Sequence, residues 1–509
     1  MISSFKPLFC TWPSIFLFVF ITMGVAIPTG LLGDPGTFWH IRTGEWMIDH
    51  LQVLRTDPFS QSEGTWIPTQ WLAEIVMALA YRSAGFAGVT TLSSILIAAW
   101  VSILARRWFL SGMHPILIWF FAILVLMGGA IHFHARPLLI NYIGMTMMAY
   151  FILDFEKGRA KATALLWSFP LAIVWANCHG GYLGGLASLG LASFVWFTLF
   201  LFNTGPIADY KSFLLLALAD LLWIAAPCIS PFGFGLYQEW FKIWFKLDLA
   251  SYIIEHQPPG LFEFHMLTAY LVLATVIFFL VFSRQRSKYL GVLINILAWF
   301  VLSLQRARNG PLFICVAAVM FEEIWAGLVA KGRVREDWIV RVPAKPSRKI
   351  ILAVGFVVAG IFLTGVMGWF CVNLDANKWP VDLIEPMQAL IRTSPLLQKQ
   401  NPPIKIYNEL NDGGFLIFYA PAFKVFQDDR CEIHAFRDGH SEGGWLKKHF
   451  DLQLNSPEVL VLELEKQGIN LAVVPKKSAL GEFLTQKTSW KRVFAGKTHE
   501  IWVLNRPEL

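Results

Sequence analysis

Long apolar runs separated by short polar loops fill the chain up to residue 371. A helix needs roughly 20 mainly apolar residues to cross the hydrocarbon core of a bilayer, and about eleven runs approach that length. The pattern therefore predicts a polytopic α-helical membrane protein. The predicted spans are 14–33, 87–105, 114–131, 137–153, 163–177, 181–202, 212–228, 262–283, 289–304, 309–329 and 350–371.

Two long segments, 34–86 and 372–509, break this pattern. The first mixes aromatic and polar residues and predicts two amphipathic helices at the membrane interface, one from Phe38 with Thr37 as its N-cap and one over Trp66–Tyr81. The second segment reads as a compact α/β domain with a helix near Val459–Gln467. Its predicted strands are Lys405–Leu410, Gly414–Tyr419, Lys424–Gln427, Asn470–Val474 and a hairpin around Trp490–Val503.

These patterns divide the chain into a transmembrane domain, 1–371, whose first loop is 34–86, and a C-terminal domain, 372–509. Basic residues gather in alternate loops, with seven Lys or Arg in 331–349, whereas loop 34–86 holds six acidic residues against three arginines. The positive-inside rule then places the N-terminus in the cytoplasm, and loop 34–86 and the tail outside it.

Composition agrees with this membrane interpretation. Hydrophobic residues make up 56% of the chain and charged residues 15%, which excludes an ordinary water-soluble enzyme. The net charge of +7 is explained by cytoplasmic loops rather than by nucleic-acid binding. The six cysteines show no spacing typical of a metal site or a disulfide framework.

The first loop contains the candidate acids. Asp34 lies where the first span leaves the membrane, in the turn formed by Asp34, Pro35 and Gly36, which suits a preorganised carboxylate. Gln70 and Glu74 are four residues apart and share one helix face. An alternative is that the aromatic residues form an interface belt that these acids merely solvate.

Later outer loops contain basic residues that are candidates for binding an anion. Arg136 follows the third span, and an unusual outer pair, Arg306 and Arg308, follows the ninth. Guanidinium groups hold phosphate oxygens in bidentate geometry, so these residues suit an anionic lipid head group. The alternatives are ion pairs, of Arg136 with a loop carboxylate and of the arginine pair with loop 34–86.

Two further polar clusters lie on the same predicted side. Asn177 and His179 flank a turn that ends in Gly180 and Gly181, and His256 lies in loop 229–261. The turn is equally compatible with a plain helical hairpin. One aqueous site, lined by acidic and basic residues, explains why these polar clusters all lie on the same predicted side of the membrane. Mid-span ionisable groups are few, mainly Asp220 and His265, which weighs against a transporter.

These motifs resemble the GT-C superfamily of membrane glycosyltransferases, and more closely a bacterial group of GT-C-like membrane proteins, over most of the chain. The first loop of that group has the form D-P-x-x-W-H-x-R-x-G-E-W, then T-D-P-F-S and W-L-x-E. The matching residues are Asp34, Pro35, Trp39, His40, Arg42, Gly44, Glu45, Trp46, Thr56–Ser60, Trp71–Glu74, Ala135–Pro137, Trp175–Gly181, Ser230–Gly233, Arg308–Pro311, Asp412–Leu416 and Val425–Arg430.

The resemblance implies an inverting glycosyltransferase of the bacterial inner membrane that uses a polyprenyl-phosphate-linked sugar. It leaves the acceptor (glycan, lipid or protein) open, and a divalent cation such as Mg²⁺ or Mn²⁺ is an option as cofactor. The other hypothesis is a non-catalytic scaffold that binds lipid-linked glycan or partner proteins. By position, the catalytic candidates are Asp34 and Glu74, and the substrate-binding candidates are His40, Arg42, Glu45, Asp57, Gln70, Arg136, Asn177, His179, His256, Arg306 and Arg308.

Overall fold

A computed structural model of the chain describes residues 12–247, 253–282, 289–340, 372, 374, 379–393, 404–435, 437 and 444–504. These residues are predominantly α-helical and form two compact units. The membrane unit contains the described residues within Met1–Leu31, Ser83–Gly233 and Ile253–Cys371. The loop–tail unit contains those within Leu32–Arg82, Phe234–Tyr252 and Val372–Leu509. The first loop therefore groups with the tail, whereas we had expected it within a domain 1–371.

Apolar helices account for the predicted spans of the membrane unit. Six are long and apolar enough to cross a bilayer, while the predicted spans 14–33, 163–177, 262–283 and 289–304 coincide with shorter apolar helices. The predicted span 350–371 lies outside the described residues. The helices are Trp12–Ile21, Pro28–Leu31, Trp71–Leu110, Pro115–Gly129, Ile140–Glu156, Ala162–Trp167, Phe169–Cys178, Tyr182–Leu201, Tyr210–Ala225, Phe264–Phe282, Leu290–Gln305, Gly310–Ala317 and Met320–Ala330.

The helix Trp71–Leu110 contains a break at the boundary between the two units. Ala84 and Gly85 have non-helical backbone angles, and Gly85 has a φ of +59°, which favours glycine. The break separates the predicted loop helix from the predicted second span. The loop helix begins at Trp71, later than the expected Trp66, because Pro68 and a turn precede it.

Charged residues bind three helix ends together in the membrane unit. Arg107 contacts Asp154 at 2.7 Å and Glu322 at 2.6 Å. Arg159 contacts the same Glu322 at 3.0 Å and also Glu323 at 2.5 Å. These basic residues are among those that the positive-inside rule places in the cytoplasm. Their meeting agrees with one common side for those loops.

The tail forms two small sheets surrounded by helices. The strands are β1 (Ile404–Lys405), β2 (Tyr407–Asn408), β3 (Phe423–Lys424), β4 (Leu471–Pro475), β5 (Trp490–Ala495) and β6 (His499–Leu504). β1 pairs with β3 in parallel. The other sheet has the order β2-β4-β6-β5, parallel between β2 and β4 and antiparallel elsewhere. The helices of the loop–tail unit, besides the start of Trp71–Leu110, are Gly36–His50, Gly235–Phe245, Ile384–Thr393, Gly413–Tyr419, Cys431–His434, Gly444–Asn455, Pro457–Lys466 and Ala479–Leu484.

One predicted strand of the tail is wrong. Gly414–Tyr419 lies in a helix, Gly413–Tyr419, whose residues Phe415, Leu416 and Ile417 are all buried. A short apolar run carries no periodicity that separates a strand from a buried helix. Here the tertiary environment decides, since Gly413 packs so closely on the following segment that a Cβ would lie 2.3 Å from the Gln427 carbonyl oxygen.

Candidate functional site

Polar residues from three separate loops meet in the membrane unit. The Nε2 atom of His132 lies 3.3 Å from a carboxylate oxygen of Glu255, and Arg308 Nη1 lies 3.9 Å from the other oxygen. Arg308 also donates a hydrogen bond to Nε2 of His256. The loops are held by backbone bonds, for example from the Ala307 N–H to the Gln257 carbonyl at 3.0 Å. We call this set, with Arg136, His179 and Arg306, the basic cluster.

Guanidinium charges act on the titratable residues of the basic cluster. Burial would raise the pKa of Glu255, but the hydrogen bond from His132 and the charges of Arg308 and Arg136 outweigh it and hold that pKa well below its usual range. Burial, together with Arg308 and Arg306, lowers the pKa of His256 to about 3. Arg308 and Arg136 therefore act on Glu255, and Arg308 and Arg306 act on His256, which is neutral.

Arg308 forms an ion pair. Its carboxylate is Glu255 of loop 229–261. Arg136 acts electrostatically on the same Glu255, which fits the alternative that it balances a loop carboxylate. Guanidinium groups hold phosphate oxygens in bidentate geometry, so the cluster suits an anionic ligand.

The turn that contains Asn177 and His179 is held to a neighbouring loop by side-chain hydrogen bonds. The side-chain amide of Asn177 donates to the carbonyls of Ile173 at 2.8 Å and Ile229 at 3.1 Å. Asn177 is 2% exposed and joins this turn to loop 229–261, and its contact with substrate stays a prediction. His179 belongs to the basic cluster, since Arg308, Arg136 and His132 all act on its pKa.

Asp34 lies at the start of helix Gly36–His50 in the loop–tail unit. Its Oδ1 atom accepts the backbone N–H of Gly36 at 2.7 Å, and its side chain is half-buried. The helix begins at Gly36, so the predicted N-cap, Thr37, lies inside the first turn. The Asp34 carboxylate caps this turn instead, because its short side chain reaches the exposed N–H.

The tail holds the turn that carries Asp34. Gly414 packs so closely on this turn that a Cβ would lie 2.2 Å from the Pro35 carbonyl oxygen. The indole N–H of Trp379 donates to the Leu32 carbonyl at 2.9 Å, and that of Trp39 donates to Asp429 at 2.8 Å. The tail thus fixes the backbone on both sides of the candidate base.

Glu74 is the second predicted catalytic acid, and the structure buries it. Its side chain is 1% exposed and lies 2.9 Å from Nδ1 of His40, which is fully buried. Gly44 allows this pairing, because a Cβ there would lie 2.0 Å from the Glu74 carbonyl oxygen. Glu74 and His40 thus pair with each other in the interior of the loop–tail unit, and their roles in catalysis and substrate binding stay predictions.

Asp57, whose substrate contact stays a prediction, is surrounded by hydrogen-bond donors in the loop–tail unit. Its two oxygens accept from the N–H groups of Phe59 and Ser60, from the Ser60 hydroxyl and from Arg430. Arg430 is fully buried and bridges Asp57 at 2.9 Å and Asp428 at 2.7 Å. A carboxylate with both oxygens engaged in this way has little capacity left for a ligand.

The remaining first-loop candidates are more accessible. Arg42 and Glu45 form an ion pair of 3.2 Å on one face of helix Gly36–His50, with the Arg42 side chain 35% exposed. Gln70 is half-buried just before helix Trp71–Leu110. Their roles as substrate-binding residues stay predictions.

The divalent cation stays a prediction. Within the described residues, no three His, Cys, Asp or Glu side chains converge with the geometry of a metal site. We therefore derive no step through a divalent cation.

Sequence reasoning did not select Glu255 or Asn141, although Glu255 belongs to the basic cluster and the amide nitrogen of Asn141 lies 2.9 Å from Nδ1 of His179. Glu255 directly precedes His256, and an acid among outer-loop bases is a signal that was present. Asn141 is an isolated amide in an apolar run, which requires a partner when it is buried. Arg430 was noted only as part of a tail motif, since nothing local shows that it is buried.

Comparison with known proteins gives the fold. No protein-family model and no curated protein matches the sequence. The oligosaccharyltransferase AglB from Archaeoglobus fulgidus, in complex with an inhibitory peptide and a dolichol-phosphate, is similar in structure with a TM-score of 0.56, 11% identity, and coverage of 91% of this chain and 69% of that one. The oligosaccharyltransferase of the same organism, tethered with an acceptor peptide, aligns with a TM-score of 0.54 and 11% identity. The alignment covers 91% of this chain and 68% of that one.

A structure of ArnT from Cupriavidus metallidurans bound to undecaprenyl phosphate aligns with a TM-score of 0.48, 14% identity, and coverage of 96% of this chain and 97% of that one. The similarity to the oligosaccharyltransferase structures shows that this chain has the fold of the GT-C membrane glycosyltransferases. The expected fold class is confirmed.

Proposed function

We propose that the protein is a membrane glycosyltransferase that transfers a sugar from a polyprenyl-phosphate-linked donor to an acceptor at the extracytoplasmic face of a bacterial inner membrane. The observation that carries this proposal is the basic cluster, in which the guanidinium groups of Arg308 and Arg136 act on Glu255, in a chain with the GT-C fold. The acceptor is a glycan, a lipid or a protein.

In the proposed reaction an acceptor hydroxyl attacks the anomeric carbon of the donor sugar. The new bond joins the acceptor oxygen to that carbon, and the bond from the carbon to the phosphate oxygen breaks. Asp34 takes the hydroxyl proton, and the lipid phosphate leaves with the electron pair. Attack from the face opposite the leaving group inverts the anomeric centre. The position of Asp34 supports this role, since the N–H of Gly36 and the packing of Gly414 fix its turn.

The basic cluster would act on the leaving group. A phosphodiester carries about one negative charge, and the free lipid phosphate carries nearly two near neutral pH. Arg136, Arg306 and Arg308 therefore interact more strongly with the departing phosphate than with the bound donor. Preferential stabilisation of charge that develops in the transition state accelerates the chemical step.

The experiment compares wild type with Asp34→Asn, using purified protein in detergent and radiolabelled polyprenyl-phosphate sugars. Sugar release or transfer is measured, and thermal unfolding reports folding. We expect turnover by the wild type and a loss of at least 100-fold in Asp34→Asn, as expected when a general base is removed. Asp49→Asn is the matched control, because Asp49 is an exposed acid that pairs with Arg82 at the end of helix Gly36–His50.

Two outcomes would contradict the proposal. Equal turnover by wild type and Asp34→Asn would remove Asp34 from the chemistry. Lipid binding without turnover by either protein, over a panel of glycan, lipid and peptide acceptors, would favour a non-catalytic scaffold.

A further inference from the structure

Three side chains connect the core of the membrane unit to the basic cluster. The indole N–H of Trp175 donates to Oδ1 of Asn141 at 2.8 Å. The amide nitrogen of Asn141 lies 2.9 Å from Nδ1 of His179, and the backbone N–H of Gly181 donates to the same Nδ1 at 2.8 Å. Trp175 and Asn141 are 5% and 6% exposed, so water does not compete strongly for these bonds.

The hydrogen-bond donors of Trp175, Asn141 and Gly181 fix the tautomer of His179. An indole N–H only donates, so Trp175 orients the oxygen of Asn141 toward itself and the amide nitrogen toward His179. A backbone N–H also only donates. Nδ1 of His179 therefore faces two donors and must carry its lone pair. The proton of the neutral ring lies on Nε2, which is left as a donor.

Steric contacts show that the arrangement is specific. A Cβ at Gly181 would lie 2.3 Å from the side chain of Asn141, so a larger residue would displace the amide. Cβ atoms at Gly144 and Gly185 would lie 2.6 Å and 2.4 Å from the Trp175 ring. Glycines on three sides thus make room for the Trp175–Asn141 pair.

The surroundings of His179 keep it neutral. Burial, together with the charges of Arg308, Arg136 and His132, lowers its pKa to about 3, while Glu255 acts in the opposite direction. Protonation would also place a hydrogen on Nδ1 against the Asn141 and Gly181 donors. His179 therefore stays neutral throughout the physiological range.

We infer that His179 is held as the Nε2–H tautomer and donates this hydrogen to a phosphate oxygen of the lipid-linked substrate, with Asn141 as the residue that positions it. The phosphate part of this inference rests on the proposed function. A neutral N–H binds an anionic oxygen without adding repulsion to Arg136 and Arg308. Nothing in the sequence motif alone distinguishes this role from a turn.

The tautomer is tested without a ligand. Full-length protein labelled with ¹⁵N-histidine is reconstituted in bilayers, and the His179 signals are assigned as those lost in His179→Gln. We expect a protonated Nε2 and an unprotonated Nδ1 between about pH 5 and 8. In Asn141→Asp, the introduced carboxylate should draw a proton onto Nδ1 near pH 7. A wild-type signal with Nδ1 protonated would overturn the inference.

The phosphate contact is tested by binding of undecaprenyl phosphate to the full-length protein. Glutamine can place an amide N–H near the position of Nε2, whereas asparagine is too short. We expect His179→Gln to bind within about threefold of wild type, and His179→Asn to bind about tenfold or more weakly, as for a lost hydrogen bond to a charged group. Inorganic phosphate at equal concentration should not compete, which identifies the lipid as the source of the phosphate.

The failures are distinguishable. No binding of undecaprenyl phosphate by the wild type would overturn the lipid-phosphate role, and the proposed donor with it. Wild-type binding that His179→Asn does not weaken would overturn the inference alone. Competition by inorganic phosphate, lost in His179→Asn, would show a site for free phosphate instead of the lipid.

Discussion

Arg430 shows how much a single residue contributes to the loop–tail unit. It is fully buried between Asp57 and Asp428, and the rings of Trp39, Phe59 and Trp66 lie within 5.6 Å of its guanidinium carbon. Removal of one partner from a buried ion pair leaves uncompensated charge in a site that water cannot reach. Arg430 therefore links the first loop to the tail through electrostatics and not only through apolar contact.

Substitution of Arg430 should lower the stability of the loop–tail unit. We expect Arg430→Met to reduce its free energy of unfolding by about 3–5 kcal/mol, because Asp57 and Asp428 lose their buried counter-ion. Arg335→Met is the control, since the Arg335–Asp337 pair has side chains 82% and 59% exposed and such pairs contribute about 0–1 kcal/mol. Denaturant unfolding measures both changes. Equal effects of the two substitutions would show that the buried network contributes little.

Glu432 makes the stability of the loop–tail unit depend on pH. Burial raises the pKa of Glu432 to about 7, with Arg430 opposing the shift and the nearby Glu239 and Asp428 adding to it. Between the ordinary glutamate pKa and about 7, the folded chain keeps a proton that the unfolded chain releases. The stabilisation is thus complete below the ordinary pKa and is lost as pH rises through about 7.

The expected result is a smaller pH dependence in Glu432→Gln. Between about pH 5 and 8, the unfolding temperature of the wild type should fall relative to that of the variant as pH rises, because glutamine does not ionise. Other titrating groups, including His449 and His499, are common to both proteins and cancel in the difference. Parallel curves for the two proteins would mean that Glu432 titrates near its ordinary pKa.

At the scale of elements, helix Gly36–His50 depends on close packing at Gly44. A Cβ there would lie 2.0 Å from the Glu74 carbonyl oxygen and 2.8 Å from the Ala78 Cβ. Backbone atoms of a helix cannot move aside without shifting the whole element. Gly44 thus sets the distance between this helix and helix Trp71–Leu110, and with it the His40–Glu74 pair.

Gly44→Ala should separate these helices and destabilise the loop–tail unit by about 1–3 kcal/mol, as overpacking does. Gly190→Ala is matched to it, since Gly190 also lies inside a helix but has open space around its Cβ position. There alanine should be neutral or stabilising by up to about 1 kcal/mol. Thermal unfolding measures the stability of both variants. A Gly44→Ala variant as stable as wild type would contradict the close contact at Gly44.

Element types were predictable where the apolar pattern was long, and ambiguous where it was short. The spans before residue 331 follow from runs of apolar residues, because a bilayer requires them. The run Gly414–Tyr419 was too short to distinguish strand from helix. Likewise, nothing local shows that Glu74 is buried against His40, since 34 residues separate them.

For the whole molecule, orientation is still a prediction from the distribution of Lys and Arg. With Cys228 replaced by serine, because it is exposed, Lys477→Cys in the tail should react with a membrane-impermeant maleimide in intact spheroplasts. Arg333→Cys should react only after permeabilisation, since it follows helix Met320–Ala330 on the predicted cytoplasmic side. The reverse pattern would invert the topology and place the basic cluster in the cytoplasm.

The sequence by itself determined the membrane class and most of the spans, and its motifs carried the GT-C resemblance. The membrane class and the spans follow from local composition and periodicity, which the bilayer converts into structure without long-range information. Five residues of the basic cluster were also identifiable, because polar groups at outer helix ends need partners. They are Arg136, His179, His256, Arg306 and Arg308.

Only the tertiary structure decided which of the candidates are accessible. It pairs Glu74 with His40, surrounds Asp57 with donors and groups the first loop with the tail, while Asp34 is half-buried at a helix start. It also introduces Glu255 and Asn141, which sequence reasoning did not select. The physical reason is that burial and hydrogen-bond partners are set by segments distant in sequence, and these determine whether a carboxylate or an imidazole is exposed, charged or held in one tautomer.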